Sequence, residues 1–338
     1  MKKTLLQWCA QTLGCEAHTL TVTPLSGDAG FRRYFRIQHA SQSFIVADAP
    51  VEHIDNHAFV DIAQRLASAG VNVPSIVGVD FEQGFLIQQD FGDDLLLGLL
   101  NDSTVDEHYA SALAMIVRMQ GANCDGLPDY DADLLQREMA LFPTWFVETL
   151  LGLSLDDNEQ TLLNNVFQCL TVAAMQQPQA FVHRDFHSRN ILLHKDELAT
   201  IDFQDAVRGP ITYDAVSLLK DCYIQWPCER VEQWLEDFHA ALIDANIISD
   251  EADFAQTLRD FHAMGLQRHI KVLGIFARLS LRDGKHGYLL DLPMVIDYTL
   301  QAAALLANDY AILGEFKSWF EARLCPQIKQ QEWSNGKR

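Results

Sequence analysis

The sequence is short of basic residues. Lysine and arginine together number 25 against 46 aspartates and glutamates, so the formal net charge at pH 7 is −21. Binding to nucleic acid or to an anionic membrane requires a positively charged face that neutralises phosphates. We therefore expect neither a nucleic-acid nor a membrane partner. A small cationic ligand, or an anionic ligand bridged by a metal ion, is compatible with this charge.

Paired cysteines and long apolar runs are also missing. The seven cysteines include no C-x-x-C pair and are odd in number, which disfavours a disulfide framework and a zinc knuckle. Reduced thiols are typical of a cytoplasmic protein. The first eleven residues contain no apolar run of signal-peptide length, and the run at residues 95–100 is far too short for a membrane span. We expect a soluble, cytoplasmic protein with no obligate protein partner.

What the sequence does contain is two regions of different periodicity. Residues 4–20 have the spacing of a short helix, and Asn56–Ser68 has that of a second. Short apolar runs bounded by turn residues predict five strands, at Thr21–Leu25, Tyr34–Gln38, Ser43–Ala47, Ile76–Val79 and Phe85–Gln88.

Long helical patterns dominate the rest of the chain. Two short strands, Ile191–Leu193 and Ala199–Ile201, interrupt them. The chain is thus predicted to be α+β and bilobal: residues 1–92 form a small lobe of five strands with one helix, and residues 93–338 form a large helical lobe. The predicted helices of the second lobe cover residues 104–120, 133–151, 157–176, 214–225, 229–244, 251–281 and 293–312.

One motif carries chemistry. His183, Asp185 and Asn190 form an H-x-D-x-x-x-x-N pattern directly before the predicted hairpin, and Asp202-Phe203 follows that hairpin. This arrangement resembles the catalytic loop and metal-binding segment of protein-kinase-like phosphotransferases. The resemblance implies a kinase-like fold, with ATP and Mg²⁺ as cofactors. Asp185 would be the base for the attacking hydroxyl, and Asn190 and Asp202 would be the metal ligands. An accidental H-x-D would not account for the spacing to Asp202.

The segment after Asp202 distinguishes protein kinases from the small-molecule kinases that share this motif. Protein kinases carry a long activation segment ending in A-P-E, whereas here Tyr213-Asp214 follows Asp202 closely and no A-P-E occurs. The stretch from Asp202 to Asp214 is similar to that of aminoglycoside phosphotransferases and choline kinases, and so is His187. Asp214 is expected to cap the next helix and brace the catalytic loop. Asp205 either orients the metal shell or caps a turn.

The nucleotide is expected to contact two backbone segments of the small lobe. Gly27, Asp28 and Gly30 lie in a turn between the first two strands, where a kinase covers the phosphates; an ordinary hairpin turn is the alternative. The adenine-binding hinge is expected after the fifth strand, at Gln89 and Phe91.

A lysine is missing where the kinase pattern has one. The third strand carries none, and no lysine occurs between Lys3 and Lys195. Arginine can bind phosphate bidentately. We therefore predict that Arg33 or Arg32 replaces the lysine, with Arg36 the next candidate. The alternative is that these arginines only decorate an exposed strand.

Further stretches indicate a subgroup. They resemble the bacterial anomeric kinases for N-acetylmuramate and N-acetylglucosamine of cell-wall recycling, and that group also lacks the third-strand lysine. The resemblance implies phosphorylation of the C1 hydroxyl of a small-molecule sugar, although related phosphotransferases change acceptors readily. The stretches are residues 27–36, 48–50, 138–146, 217–227 and 267–285.

Residues that would bind the acceptor are harder to assign. Four cations fall near one face of a predicted helix and suit a carboxylate such as the lactyl group of N-acetylmuramate; a salt-bridged face is the alternative. Aromatic residues suit a sugar ring but serve equally in a core. The acceptor-side candidates are Asp205, Tyr223, Trp226, Arg268, Lys271 and Arg278, with Trp145 and Arg282 beside them.

Three alternatives stay open at this point. An aminoglycoside kinase would need an acidic pocket for a polycation, and the basic helix opposes one. A choline- or homoserine-type kinase would share the nucleotide machinery. A nucleotide-binding protein without turnover would keep the fold, but the intact Asp185, Asn190 and Asp202 argue against it.

Overall fold

The structure, a computed structural model, describes residues 1–25 and 32–335. By their contacts these residues form two compact units. The first comprises Met1–Leu99 together with Arg189–Asp205, and the second comprises Leu100–Ser188 together with the chain from Ala206 onward. The segment Arg189–Asp205, which contains the predicted hairpin, therefore belongs to the first unit although it comes much later in the sequence. A division of the chain into domains at residue 92 stays a prediction.

The strands build one sheet and two short pairs. The sheet has the order β1-β2-β3-β5-β4, with antiparallel neighbours throughout, and β6 pairs with β9 and β7 with β8. The strands are β1 (Thr21–Pro24), β2 (Arg33–His39), β3 (Gln42–Asp48), β4 (Ile76–Asp80), β5 (Phe85–Gln89), β6 (Gln179–Val182), β7 (Ile191–His194), β8 (Glu197–Thr200) and β9 (Val207–Pro210).

Helices form most of the second unit. Two segments of π-helical turns, Phe142–Leu150 and Phe320–Leu324, are inserted among them. The α-helices are α1 (Lys3–Leu13), α2 (Asn56–Ser68), α3 (Leu96–Leu99), α4 (Val105–Gln120), α5 (Ala132–Met139), α6 (Asp157–Gln176), α7 (Tyr213–Leu219), α8 (Cys228–Asp244), α9 (Phe254–Asp283), α10 (Leu292–Leu306), α11 (Ala311–Trp319) and α12 (Cys325–Ile328).

The five-stranded sheet of the first unit is confirmed, and α1 and α2 lie in the two segments where the spacing predicts helices. Helix α1 buries Leu5 and Cys9 in the same apolar cluster as Ile37 and Val46 of the sheet. The predicted helix over residues 4–20 is too long, because Gly14 adopts a left-handed φ of 66° that ends α1 at Leu13. Helix α2 has its predicted bounds.

Helix α9 is the central element of the second unit. Nearly every residue from Phe261 to Gly274 is buried, which is a much wider stripe than one apolar face. Gly274 allows a close crossing, because a Cβ there would meet the backbone carbon of Leu141 at 2.4 Å and the nitrogen of Phe142 at 2.6 Å. The helix therefore crosses residues 141 and 142 almost backbone to backbone.

Several predicted helices are shorter in the structure. The helix predicted over residues 133–151 is divided, with α5 ending at Met139 and π-helical turns beginning beside Pro143, whose ring cannot donate a backbone hydrogen bond. The helix predicted over 214–225 ends at Leu219, where the carboxylate of Asp221 accepts the backbone N–H of Tyr223 in a local turn. The pairing of β6 with β9 was not predicted.

One apolar stretch passes a length and hydropathy test for membrane helices. Within the described residues only His286–Leu306 is long and apolar enough to cross a membrane, and half of the tested window is buried in the second unit. A buried core helix of a soluble protein meets the same criterion, so this is weak evidence for a membrane span.

Candidate active site

The segment His183–Ser188, which follows β6, is held by two buried carboxylates. Asp214 of α7 accepts the backbone N–H groups of His183 at 2.7 Å and of Arg184 at 3.0 Å. Asp221 accepts both the backbone N–H and the hydroxyl of Ser188, at 2.9 Å and 2.5 Å. The expected bracing by Asp214 is thus seen, but its side chain does not cap α7. Asp221 is a brace that the sequence did not single out.

Arg184 lies in a strained backbone conformation beside an ion network. Its φ is 75°, a region that non-glycine residues enter at a cost of about 1–3 kcal/mol. Its guanidinium donates to Glu138 Oε1 at 2.5 Å, and Lys271 Nζ lies 2.9 Å from the same oxygen. Tyr130 donates its hydroxyl hydrogen to the other oxygen of Glu138. These contacts fix the residue that directly precedes Asp185.

The network also acts on the ionisation of Asp185. Burial raises the pKa of this carboxyl, but the positive charges of Lys271, His187 and Arg184 more than offset burial, so the pKa lies below its ordinary value. Asp185 is half-buried and is held as a carboxylate at neutral pH. A carboxylate can accept a hydrogen bond, and then a proton, from a hydroxyl group.

The predicted metal ligands meet at the ends of the β7–β8 hairpin. Asn190 precedes β7 and Asp202 follows β8, and the amide nitrogen of Asn190 lies 3.4 Å from Asp202 Oδ2. Asp202 has a φ of 64°, and Gln204 donates to its other oxygen at 2.8 Å. The hairpin therefore brings together two oxygen-bearing side chains twelve residues apart, in agreement with the prediction.

A cavity of about 560 Å³ opens beside this pair, within the first unit. Ile45, Phe59 and Ile201 supply apolar walls, and Asp202 lies in the lining. Gln88 also lines it, and its buried Oε1 has no hydrogen-bond partner among the described residues. The volume and the mixture of apolar walls with few polar groups are typical of a small-molecule site.

The predicted hinge residues line this cavity, whereas the predicted glycine turn falls outside the part of the chain that the structure describes. Gln89 and Phe91 both line the cavity, and the Phe91 carbonyl oxygen lies 3.2 Å from His194 Nδ1. Gly27, Asp28 and Gly30 lie outside the described residues. A role for these residues in nucleotide binding stays a prediction.

The three arginines considered as replacements for the lysine differ in their surroundings. Arg33 pairs with the buried carboxylate of Asp48 and does not line the cavity. Arg36 lines the cavity but binds Asp90 at 2.6 Å and Asp93 at 2.7 Å.

Arg32 has a different environment from both. Its guanidinium lies 4.9 Å from the ring centroid of Phe59 and hydrogen-bonds Tyr34. Both rings line the cavity, and no carboxylate of the described residues pairs with Arg32. Neither Arg32 nor Arg33 lines the cavity itself, but Arg32 contacts two residues that do, so the structure favours Arg32 of the two arginines that the sequence offered.

The predicted acceptor residues separate into interior and surface groups. Arg268 is buried, with its guanidinium 3.3 Å from Cys222 Sγ, and Lys271 is buried against Glu138 and the Tyr213 hydroxyl. The sequence predicts that both side chains meet a sugar from one face of the helix. In the structure the helix carries both of them into the interior, where they contact other residues of the protein instead. Arg278 is half-buried.

The remaining candidates lie in three places. Tyr223 is half-buried, and its ring contacts that of His187, which follows Asp185 by two residues. Trp226 instead donates its indole N–H to Tyr109 and packs against Trp234. Asp205 is exposed at the end of the first unit's second segment. Their roles toward a substrate stay predictions.

The side-chain oxygens of Asn190 and Asp202 beside the cavity suit a hard cation bound together with a nucleotide. No group of three or more His, Cys, Asp or Glu side chains in the described ranges is arranged to hold a metal. Asn190 and Asp202 nevertheless carry side-chain oxygens of the kind that Mg²⁺ prefers, and Mg²⁺ takes only one or two such ligands from protein while keeping its waters and phosphate oxygens. The unpartnered oxygen of Gln88 in the cavity wall is the kind of acceptor that an exocyclic amine satisfies.

Two residues of this site were not identified from the sequence. Glu138 and Asp221 each hold the segment His183–Ser188, through contacts with Arg184 and Ser188 that join residues distant in sequence. Both occur inside stretches that carry the subgroup resemblance, residues 138–146 and 217–227, and that was the available signal.

Comparison with known proteins agrees with this geometry. The chain is 43% identical over 279 residues to the N-acetylmuramate/N-acetylglucosamine kinase of Pseudomonas putida, with 82% of each chain covered. It is 41% identical over 293 residues to the kinase of the same name from Pseudomonas aeruginosa, with 86% of each covered. An ADP-bound aminoglycoside phosphotransferase has a similar fold, with a TM-score of 0.58, 12% identity, and coverage of 89% of this chain and 99% of that one.

The family model for phosphotransferase enzymes matches residues 21–254, a range that includes the sheet, the braced Asp185 and the Asn190–Asp202 pair. This match covers more than half of the chain, and the two relatives are 43% and 41% identical to it, so membership of the family is established. The chain therefore belongs to the phosphotransferase enzyme family, and it is an enzyme of the kinase type.

Proposed function

We propose that this enzyme transfers the γ-phosphoryl group of ATP to the C1 hydroxyl of N-acetylmuramate or N-acetylglucosamine. The observation that carries the proposal is the identity of 43% to a kinase named for these two sugars, over 82% of the chain. The braced Asp185 and the hairpin with Asn190 and Asp202 support it, because they supply the groups that phosphoryl transfer to a hydroxyl needs.

Asp185 is the proposed catalytic residue. Its carboxylate accepts the hydrogen of the C1 hydroxyl and orients the oxygen for in-line attack on the γ-phosphorus. The new O–P bond forms as the bond between the γ-phosphorus and the bridging oxygen breaks. The proton passes to Asp185, and ADP leaves with the electron pair. The Asp214 and Asp221 braces keep the segment in place during this step.

Asn190 and Asp202 are the proposed metal ligands. Bound Mg²⁺ neutralises phosphate charge that the chain otherwise offsets with few cations. The cavity with Gln88, Gln89 and Phe91 in its wall is the proposed nucleotide site. Tyr34 and Phe59 place Arg32 beside that site.

The setting of the reaction is part of the proposal. We place it in the cytoplasm, where ATP is available and reduced thiols persist. There it would serve the recovery of cell-wall sugars.

The experiment is a phosphorylation assay with purified full-length protein, ATP and Mg²⁺. Acceptors are N-acetylmuramate, N-acetylglucosamine, choline, homoserine and an aminoglycoside. We expect ADP release with the two sugars only. We also expect a phosphorus resonance of a glycosyl phosphate and loss of the sugar's reducing end. Turnover confined to choline, homoserine or the aminoglycoside would reassign the acceptor, and no turnover would support a protein that only binds nucleotide.

Two variants separate chemistry from metal binding. Asp185→Asn should lower kcat by about 10²–10⁴-fold with little change in ATP binding, because the lost proton acceptor acts in the transition state. Asp202→Ala should abolish Mg²⁺-dependent ATP binding, measured by calorimetry. Asp250→Asn, at an exposed acid of the second unit, is the matched control. Turnover near the parental rate in Asp185→Asn would remove this residue from its role.

A further inference from the structure

Helix α9 leaves the interior of the second unit after Gly274. From Phe261 to Gly274 every residue of the helix is buried, whereas Ile275, Arg278 and Leu279 are half-buried and Arg282 is exposed. At 100° per residue, Lys271, Ile275, Arg278 and Arg282 fall within about 60° of one another around the helix. One face of α9 therefore begins beside the Asp185 segment, at Lys271, and continues to the surface.

Arg278 is the cation of this face that the fold does not use. Its Nε is buried without a hydrogen-bond partner, and no carboxylate of the described residues forms an ion pair with it. Buried donors are normally satisfied, and an unmade bond to a charged group is costly. Burial and the positive charge of Arg282 lower the pKa of Arg278, so its surroundings disfavour the charge it carries. A negatively charged ligand would relieve both penalties.

The other cations of the face are already paired. Lys271 binds Glu138 at 2.9 Å and the Tyr213 hydroxyl at 3.0 Å. Arg282 forms two hydrogen bonds with its neighbour Asp283, at 2.7 Å and 2.9 Å. Among the described residues of this face, Arg278 is thus the cation whose charge is not paired with a carboxylate.

The position of Arg278 suits one end of a sugar. It follows Lys271 by seven residues, which is about 10 Å along a helix axis. Lys271 is close enough to Asp185 to be the principal positive charge acting on it. A series of rings also leads away from the catalytic segment along α9, from His187 to Tyr223 at 5.4 Å, to Phe276 at 6.3 Å and to Tyr288 at 4.9 Å. Such rings are a surface on which a pyranose packs.

We propose that Arg278 binds the carboxylate of an anionic acceptor sugar, namely the lactyl group of N-acetylmuramate. This inference rests on the proposed function, and it adds that the two sugars are held differently. With the C1 hydroxyl at Asp185, a carboxylate on the C3 substituent extends away from the reacting oxygen and along α9. N-acetylglucosamine has no carboxylate and would not use Arg278.

The test is steady-state kinetics with both sugars on the same variants. In Arg278→Ala, kcat/KM for N-acetylmuramate should fall about ten- to a hundredfold through KM, the loss expected for a hydrogen bond to a charged group. The value for N-acetylglucosamine should stay within about twofold. Arg278→Lys should restore part of the loss, because an ammonium keeps the charge but not the planar fork. Arg259→Ala, which removes a cation of the same helix that hydrogen-bonds Gln256, should leave both sugars unchanged.

Each other outcome overturns a specific statement. An equal loss with both sugars in Arg278→Ala would assign a structural role to this residue, and no loss would show that the carboxylate binds elsewhere. A parent enzyme active on N-acetylglucosamine alone would also overturn the inference, while leaving sugar phosphorylation intact. A parent inactive on both sugars would overturn the proposed function itself.

Discussion

Arg32 and Arg33 are neighbours in sequence, directly before β2 and at its first residue, yet their side chains have different surroundings. Arg33 neutralises Asp48, a carboxylate that is 1% exposed. Arg32 lies over Phe59 and beside Tyr34, two residues that line the proposed nucleotide cavity. Successive residues of a strand point to opposite faces, so the sequence could narrow the choice to this pair but could not decide between them.

The pair makes a matched experiment. Arg32→Ala should raise the KM for ATP about tenfold, because a phosphate-binding cation is lost. Arg33→Ala should leave that KM near the parental value but lower the melting temperature, since it removes a partner of a buried carboxylate. ATP-dependent kinetics and thermal unfolding of both variants check this. The reverse pattern would return the phosphate-binding role to Arg33, and an unchanged KM in both would leave phosphate binding to backbone amides and metal.

At the scale of elements, the crossing of α9 over residues 141 and 142 depends on a single glycine. A Cβ at Gly274 would come within 2.7 Å of the backbone carbon and Cβ of Leu141 and of the Phe142 nitrogen, and backbone cannot move aside as a side-chain end can. This crossing also sets the position of α9 relative to the π-helical turns that begin at Phe142. Because α9 carries both Lys271 and Arg278, the crossing places residues on which the site depends.

Gly274→Ala should therefore destabilise the second unit by about 2–3 kcal/mol, through overpacking at the backbone. Gly265→Ala on the same helix is the control. There the new methyl group would lie 3.7 Å from Val216, an ordinary contact, and alanine's higher helix propensity contributes up to about 1 kcal/mol. Urea denaturation followed by circular dichroism measures both. Equal stability of the two variants would contradict the close crossing.

The elements also show what the sequence could and could not predict. The strands of the sheet, helix α2 and the Asn190–Asp202 hairpin were predictable, because each is specified by local spacing and turn residues. The ends of helices were harder to predict. Helix α1 ends at Leu13 because Gly14 adopts a left-handed conformation, and α7 ends at Leu219 before a turn closed by Asp221. The contacts of Glu138 with Arg184 and Lys271 join residues more than forty positions apart, and no local pattern encodes such pairing.

For the molecule as a whole, one buried amine affects the pH dependence of unfolding. Lys220 Nζ contacts His262 Nδ1 at 3.3 Å and faces the rings of Phe261 and Tyr298. Burial lowers its pKa from 10.5 to about 8. Between these values the unfolded chain keeps a proton that the folded chain has released. The free energy of unfolding should therefore rise with pH from about 8 to 10.5, while below 8 the cost of the buried charge is constant.

Lys220→Met should remove this cost. At pH 7 we expect the free energy of unfolding to increase by about 3 kcal/mol, the equivalent of the pKa shift, and the difference from the parent should shrink above pH 8. Lys317→Met, at a helix-surface pair with Glu321, should change stability by about 0.5 kcal/mol or less. Urea titrations at pH 7, 9 and 10 check this. A variant less stable than the parent at pH 7 would show that the ammonium is better accommodated than its surroundings indicate.

The contact of Arg184 with Glu138 has a consequence for how the enzyme is controlled. In switchable kinases, phosphorylation of the activation loop supplies a negative charge that pairs with arginine and orders the loop. Here α5 supplies the acid that Arg184 binds, so this part of the catalytic segment is complete as soon as the second unit folds. We therefore expect the activity of this enzyme to follow the supply of its substrates and its own abundance.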